Sequence, residues 1–136
     1  MRPIKLTIKH FGPFAGTEVV DFEKFQNEGL FLINGQTGSG KTSILDAMTF
    51  AIYGEVLGLR GKPVNNKDAA VRLKSDYADP DVVPEVILEV DINGTPHRFT
   101  RSPKFRKSGN KSDTQPRATL EVLNGSQWEA LATSTA

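Results

Sequence analysis

Gly35-Gln36-Thr37-Gly38-Ser39-Gly40-Lys41-Thr42 matches the phosphate-binding template G-x-x-x-x-G-K-[ST] at every specified position. At ordinary residue frequencies such a window arises by accident about four times in 10⁵, or roughly half a per cent over a chain of this length. The flanks argue against accident. Leu30-Phe31-Leu32-Ile33, just before it, is a short apolar run that reads as a buried strand. Just after it, Ile44, Leu45, Met48 and Ile52 recur at helical spacing, with Ala47 and Ala51 on the same face. The motif thus stands between a strand and a helix, where its mechanism needs it.

The chemistry follows from the residue types. Gly35, Gly38 and Gly40 let the backbone take conformations closed to other residues and approach a ligand closely. The amides then converge into an anion cradle, and the helix starting near Lys41 adds its positive end to the same spot. Lys41 is expected to reach the β- and γ-phosphates of a nucleotide, and the Thr42 hydroxyl to ligate Mg²⁺.

Whole-chain properties set bounds. The 136 residues suffice for one domain with one core. Net charge is +1, but it is unevenly spread. From His97 to Arg117, Arg98, Arg101, Lys104, Arg106, Lys107, Lys111 and Arg117 face the single acid Asp113, a local balance of +6 against −5 elsewhere. The absence of cysteine excludes a disulfide framework and a thiolate metal site, and fits a reducing cytoplasm. No apolar run approaches membrane-spanning length, and the N-terminus does not read as a signal peptide.

In chain order, Ile4, Leu6 and Ile8 alternate with polar residues as a half-buried strand, and His10–Phe14 interrupts it with turn formers. Val19, Val20 and Phe22 mark a second strand, most simply paired with the first. Phe25–Gly29 is a connector. The helix is expected over roughly Gly40–Tyr53, with Gly54 as C-cap. Residues 55–84 read as a long loop, with a short strand or turn at Ala70–Leu73. Val86, Leu88, Val90 and Ile92 alternate cleanly, and Asn93-Gly94 predicts a hairpin to a return strand carrying His97, Phe99 and Arg101 on one side. Residues 103–117 read as a mobile basic loop. Leu120–Leu123, Asn124-Gly125 and Gln127–Leu131 form a second hairpin anchored by Trp128. Ala132–Ala136 carries no structural signal. A simple P-loop enzyme continues strand–helix–strand after its loop; this chain turns to antiparallel hairpins instead.

Three stretches resemble the SbcC-type ATPases, the SMC-like branch of the ABC ATPases: Leu6–Phe14, Asn34–Met48 and His97–Arg101. Leu45-Asp46-Ala47 favours this branch over the ABC transporters. The resemblance implies an α/β fold, the N-terminal lobe of an ABC/SMC-type ATPase head, with a mixed sheet, a phosphate-loop helix and antiparallel hairpins. Residues 1–136 would form that one lobe. It implies ATP and Mg²⁺ as cofactors, bound by Asn34, Gly35, Gln36, Thr37, Gly38, Ser39, Gly40, Lys41, Thr42 and Ser43, with Lys41 catalytic and Thr42 on the metal. The implied partners are a coiled coil and C-terminal lobe of the same protein, a second copy of the head, an SbcD-type nuclease and double-stranded DNA ends, with no membrane. The implied location is cytoplasmic and nucleoid-associated. The signature motif and the Asp-Glu strand of such heads are not in this sequence, and Gln115 and Gln127 stand in the wrong context for the Q-loop. This chain alone is therefore expected to be nearly inactive as an ATPase. Where archaeal and eukaryotic relatives carry Arg-Ser, this chain has Gly12-Pro13, so no arginine contact is carried over there, while a backbone contact by the Gly12-Pro13 turn stays open.

Secondary signals are weaker. Lys104, Arg106, Lys107 and Lys111 are candidate DNA-phosphate contacts, against a plain solvated loop. Arg98 and Arg101 are read as flanking the sheet, and His97 as a strand residue rather than a ligand. His10 is a candidate for the nucleotide edge, and Arg72 and Lys74 for the phosphates or ribose. Rival readings are a nucleotide-binding subunit of a transporter and a non-enzymatic DNA-binding module.

Overall fold

The computed structural model describes residues 1–25, 29–57, 63–64 and 73–135. Among these residues the frame is a six-stranded sheet ordered β2-β1-β5-β6-β7-β8, with the helix α1 against one face. The strands are β1 Arg2–Lys9, β2 Thr17–Asp21, β5 Glu85–Ile92, β6 Thr95–Ser102, β7 Arg117–Asn124 and β8 Gln127–Thr135. Helix α1 spans Lys41–Tyr53, and β3 Val56–Leu57 pairs with β4 Pro63–Val64 in a small second sheet. The α/β lobe expected from the sequence is the lobe that folds, and every described pairing in its large sheet is antiparallel.

Alternation decides which face is buried. Leu88 and Val86 on β5 stand opposite Leu6 and Ile8 on β1, and all four are fully buried. Residues opposite one another share a face, so β6 adds Arg101, Phe99 and His97 opposite Val86, Leu88 and Val90. Helix α1 closes this face with Ala47, Phe50 and Ala51, and Phe11 tilts against Phe50 with ring centroids 5.3 Å apart. Burying Phe50 contributes about 2–3 kcal/mol.

The opposite face is polar and regular. Lys5 faces Glu89, Glu89 faces Arg98 and Arg98 faces Glu121, so charges alternate in sign across four strands. The outer link is the best made: Arg98 donates Nε and Nη2 to the two Glu121 oxygens, both at 2.7 Å, and lies 4.4 Å over the Trp128 ring. Opposite charges directly across strands support the pairing register.

Several expectations are corrected. Leu30–Ile33 forms no strand; Leu30 and Leu32 are 85% and 86% exposed, Ile33 is half-buried, and Phe31, itself exposed, packs its ring against Phe22 and Phe25. A strand is a pairing relation, and no described strand offers this run a ladder partner. Leu45 does not share the helix's buried face; it is exposed, and Phe50 takes the core position. The second hairpin turns at Gly125-Ser126, one residue beyond the expected pair, and β8 runs on through Ala132 to Thr135. Phe22 opens a 3-10 turn, Phe22–Phe25, rather than ending β2. The short element expected at Ala70–Leu73 lies outside the described residues apart from Leu73, which is buried.

Residues 103–117, expected to be a mobile basic loop, are tied down. Phe105 is buried and bridges Thr114, and Asp113 accepts from Arg106 at 2.7 Å and pairs with Lys104 at 3.0 Å. The Ser108 amide donates to Asp81 Oδ1 at 2.9 Å. The two basic groups hold the Asp113 carboxyl below the usual carboxylate range. One aromatic and one acid within the basic run, with Asp81 outside it, anchor the segment.

Candidate functional site

The phosphate-loop segment lies at the N-terminal end of α1. Gly40 is the N-cap, with φ 90° and no side-chain cap. The helix's first amides are therefore left without a side-chain acceptor, the condition that makes a helix start bind anions. Gly38 also has positive φ, 84°. Ser39 N donates to Gln36 O at 3.1 Å, closing the loop into a turn. Lys41 Nζ folds back across the loop mouth and donates to Gly35 O at 2.5 Å and to Gln36 O at 2.7 Å. An ammonium and several amides thus share one small concavity.

A cleft of about 450 Å³ opens there, lined by Pro13, Thr37, Gly38, Gly40, Lys41, Thr42 and Ser43. Its size suits a small-molecule site. The residues present fit an anionic phosphate tail: the wall carries an ammonium, the hydroxyls of Thr42 and Ser43 beside it, and helix-terminal amides. Thr42 is exposed at the first turn, free for a metal-bound partner. Asn34 and Gly35 enter the loop as exposed backbone.

One wall comes from far away in sequence. The turn after β1 packs on the loop, with the Phe14 ring 2.7 Å from where a Cβ on Gly40 would lie. Gly40 is therefore constrained twice, by its left-handed backbone and by the ring above it. The turn itself is fixed from below: Gly12 N donates to Leu73 O at 2.9 Å, and Ser75 N to His10 O at 2.8 Å. The sequence left a backbone contact by the Gly12-Pro13 turn open, and Pro13 does line the cleft; Phe14 was not singled out as a site residue. The Gly12-Pro13-Phe14 turn was visible, but not what it would touch.

His10 is not among the residues lining the cleft. Its Nδ1 lies 2.6 Å from Ala15 O, and because a carbonyl only accepts, that nitrogen carries the proton and is engaged within its own turn. His97 behaves as a strand residue, its Nδ1 donating to Thr95 O at 2.9 Å. Lys74 points away from the phosphate loop: it donates to Pro80 O and lies 5.0 Å over the Phe105 ring. Arg72 lies outside the described residues.

Asp46, on α1, is half-buried, and desolvation pushes its carboxyl above the usual range. Arg101 leaves the sheet for α1, donating Nε to Ala51 O and Nη2 to Ile52 O, both at 3.3 Å. Its signal in the sequence was a lone cation on the apolar side of an alternating strand, a position that demands a partner.

An antiparallel sheet, a glycine-lined phosphate concavity and a helix rising from it define a P-loop ATPase-type lobe. A family model described as an AAA domain matches residues 5–134, and the chain belongs to that family. The chain is also similar to the SbcC subunit of the SbcCD nuclease from several bacteria. It is 46% identical to that of Vibrio cholerae serotype O1 over 103 residues, 76% of this chain and 10% of the relative. It is 35% identical to that of Treponema pallidum over 132 residues, 97% of this chain and 12% of the relative. The Staphylococcus epidermidis protein is 35% identical over 95% of this chain and 12% of its own length. The chain thus spans about a tenth of the length of the curated relatives it matches. The SbcC-type resemblance carried by three short stretches extends over most of the chain. Among the described residues no helix is long and apolar enough to cross a membrane.

Proposed function

We propose that this chain is the ATP-binding N-terminal lobe of an SbcC-type ATPase, in which ATP-driven pairing of two heads controls a partner nuclease acting on double-stranded DNA ends. One observation carries the reading: the Lys41 ammonium and the uncapped start of α1 converge on the same cleft, beside Thr42. Similarity to proteins named for the SbcCD nuclease supports an SbcD-type partner.

In this reading the loop residues 34–43 bind and orient the phosphates, Lys41 answers the charge of the outer phosphates, and Thr42 offers its hydroxyl to Mg²⁺. The metal, when bound, neutralises charge on the phosphate oxygens. Phosphoryl transfer to water further needs a positioned base and stabilisation of developing charge. The C-terminal lobe and the second head supply these in the proposed assembly, which is cytoplasmic and nucleoid-associated.

The test is Lys41→Ala in the full-length protein. Mg-ATP affinity should fall at least about tenfold, since a hydrogen bond to a charged group is worth roughly 1.5–3 kcal/mol. Head closure on ATP addition, followed by small-angle scattering or cross-linking, should disappear. Unchanged affinity and closure would remove Lys41 from this role.

DNA contact is the second element of the proposal. Lys104 and Arg106 share Asp113, so the contact falls chiefly to Lys107 and Lys111, both exposed on the same tied segment.

A further inference from the structure

Helix α1 has no basic residue in its last turn, so its own sequence leaves the terminal carbonyls unanswered. Gly54, with φ 77°, returns its amide to Phe50 O at 2.8 Å. Arg101 takes the next two carbonyls, those of Ala51 and Ile52, through a two-pronged guanidinium contact from the neighbouring strand β6. Among the described residues no carboxylate lies within ion-pairing distance of Arg101. Its partner is the helix end itself, the place where a cation is favoured. The space available agrees: a Cβ on Gly54 would sit 2.7 Å from Arg101 Nη1. Arg101 is also held on its strand, opposite the fully buried Val86 on one side and Ala118 on the other.

The other end of the same helix forms the phosphate cleft. There Gly40 meets the Phe14 ring as closely as Gly54 meets Arg101. Thirteen helical residues span about 20 Å and transmit an axial shift undiminished. Apolar packing of Ala47, Phe50 and Ala51 on the sheet is driven by a non-directional effect and names no unique point along the axis. Directed hydrogen bonds at one end fix position along the axis. Phosphate recognition needs its donors placed to within about 0.5 Å.

We infer that Arg101 is a positioning residue for the phosphate loop, setting the axial register of α1 and with it the placement of the Lys41, Thr42 and Ser43 amides. The inference rests on the nucleotide-binding reading given above. Its test is Mg-ATP titration of the full-length protein, below its unfolding onset, for wild type, Arg101→Met, Arg101→Lys, Arg98→Met and Lys41→Ala.

Arg101→Met should weaken Mg-ATP binding about five- to tenfold, and Arg101→Lys, which keeps the charge but loses the fork, should restore part of it. Arg98→Met breaks a two-pronged contact on the same strand but on the opposite face, and should lower the melting temperature without moving affinity. Gly54→Ala displaces the guanidinium while leaving it in the protein, at the added cost of a left-handed backbone that a Gly94→Ala control, away from the cleft, shares, and should reproduce the loss beyond that control if Arg101→Met does not fold. The inference is overturned if Arg101→Met binds within twofold of wild type, or if Arg98→Met loses as much. Binding by wild type that Lys41→Ala leaves unchanged would instead overturn the nucleotide site, and the positioning role with it.

Discussion

Gly40 shows how much one position can be asked to do. Its φ of 90° starts the helix, its missing side chain leaves room for the Phe14 ring, and its neighbours supply the amides of the cleft. Gly38 has a similar backbone, φ 84°, but open space where a side chain would go. The two therefore separate backbone strain from collision. Gly38→Ala should cost only the left-handed backbone penalty, about 1–2 kcal/mol. Gly40→Ala carries that penalty and also forces the Phe14 ring or the loop to move, so it should cost at least about 1 kcal/mol more. Thermal unfolding of the two variants checks the order; equal losses would mean that the ring yields freely. The phosphate-loop motif was legible from glycine spacing alone. That Phe14 would press on Gly40 was not, because the two lie 26 residues apart and no local rule links them.

At the scale of elements, β6 works on two fronts. Its apolar side carries Phe99 into the core and Arg101 to the helix end, while its polar side places Arg98 between Glu89 and Glu121. Arg98 holds the Glu121 carboxyl below its usual 4.5, chiefly by hydrogen bonding. A carboxyl depressed in the folded state adds stability that is complete above pH 4.5 and fades as pH falls through the lower folded value. Arg98→Met should therefore cost about 1 kcal/mol at neutral pH. The gap from wild type should narrow on acidification below pH 4.5, read by denaturant unfolding at both pH values. A gap independent of pH would assign the loss to the Trp128 stacking instead. Alternation made β5 and β6 legible in advance, and helical spacing made α1 legible nearly to the residue. Spacing could not choose between two apolar stripes on α1: Leu45 and Tyr53 face outward at 59% and 72% exposure, and Phe50 faces in.

Across the whole molecule, the basic balance of residues 97–117 dissolves into separate tasks. Arg98 is bound by Glu121, Arg101 by the helix end, and Lys104 with Arg106 by Asp113. If the segment touches DNA, replacing Lys107 and Lys111 together in the full-length protein should weaken binding and lower the slope of log affinity against log salt by up to about two. An unchanged slope in a filter-binding salt series would dismiss the segment as the contact. What the chain's own order determined was local: the phosphate loop, the helix behind it and the Asn93-Gly94 hairpin, because each depends on torsions and spacings within a few residues. What only the tertiary structure decided was partnership. The order β2-β1-β5-β6-β7-β8, the unpaired state of Leu30–Ile33 and the seat of Arg101 on α1 all depend on groups that meet only after the chain has folded back across dozens of residues. A strand is specified by its neighbour and a half-buried cation by its acceptor, and neither is written beside it in the sequence.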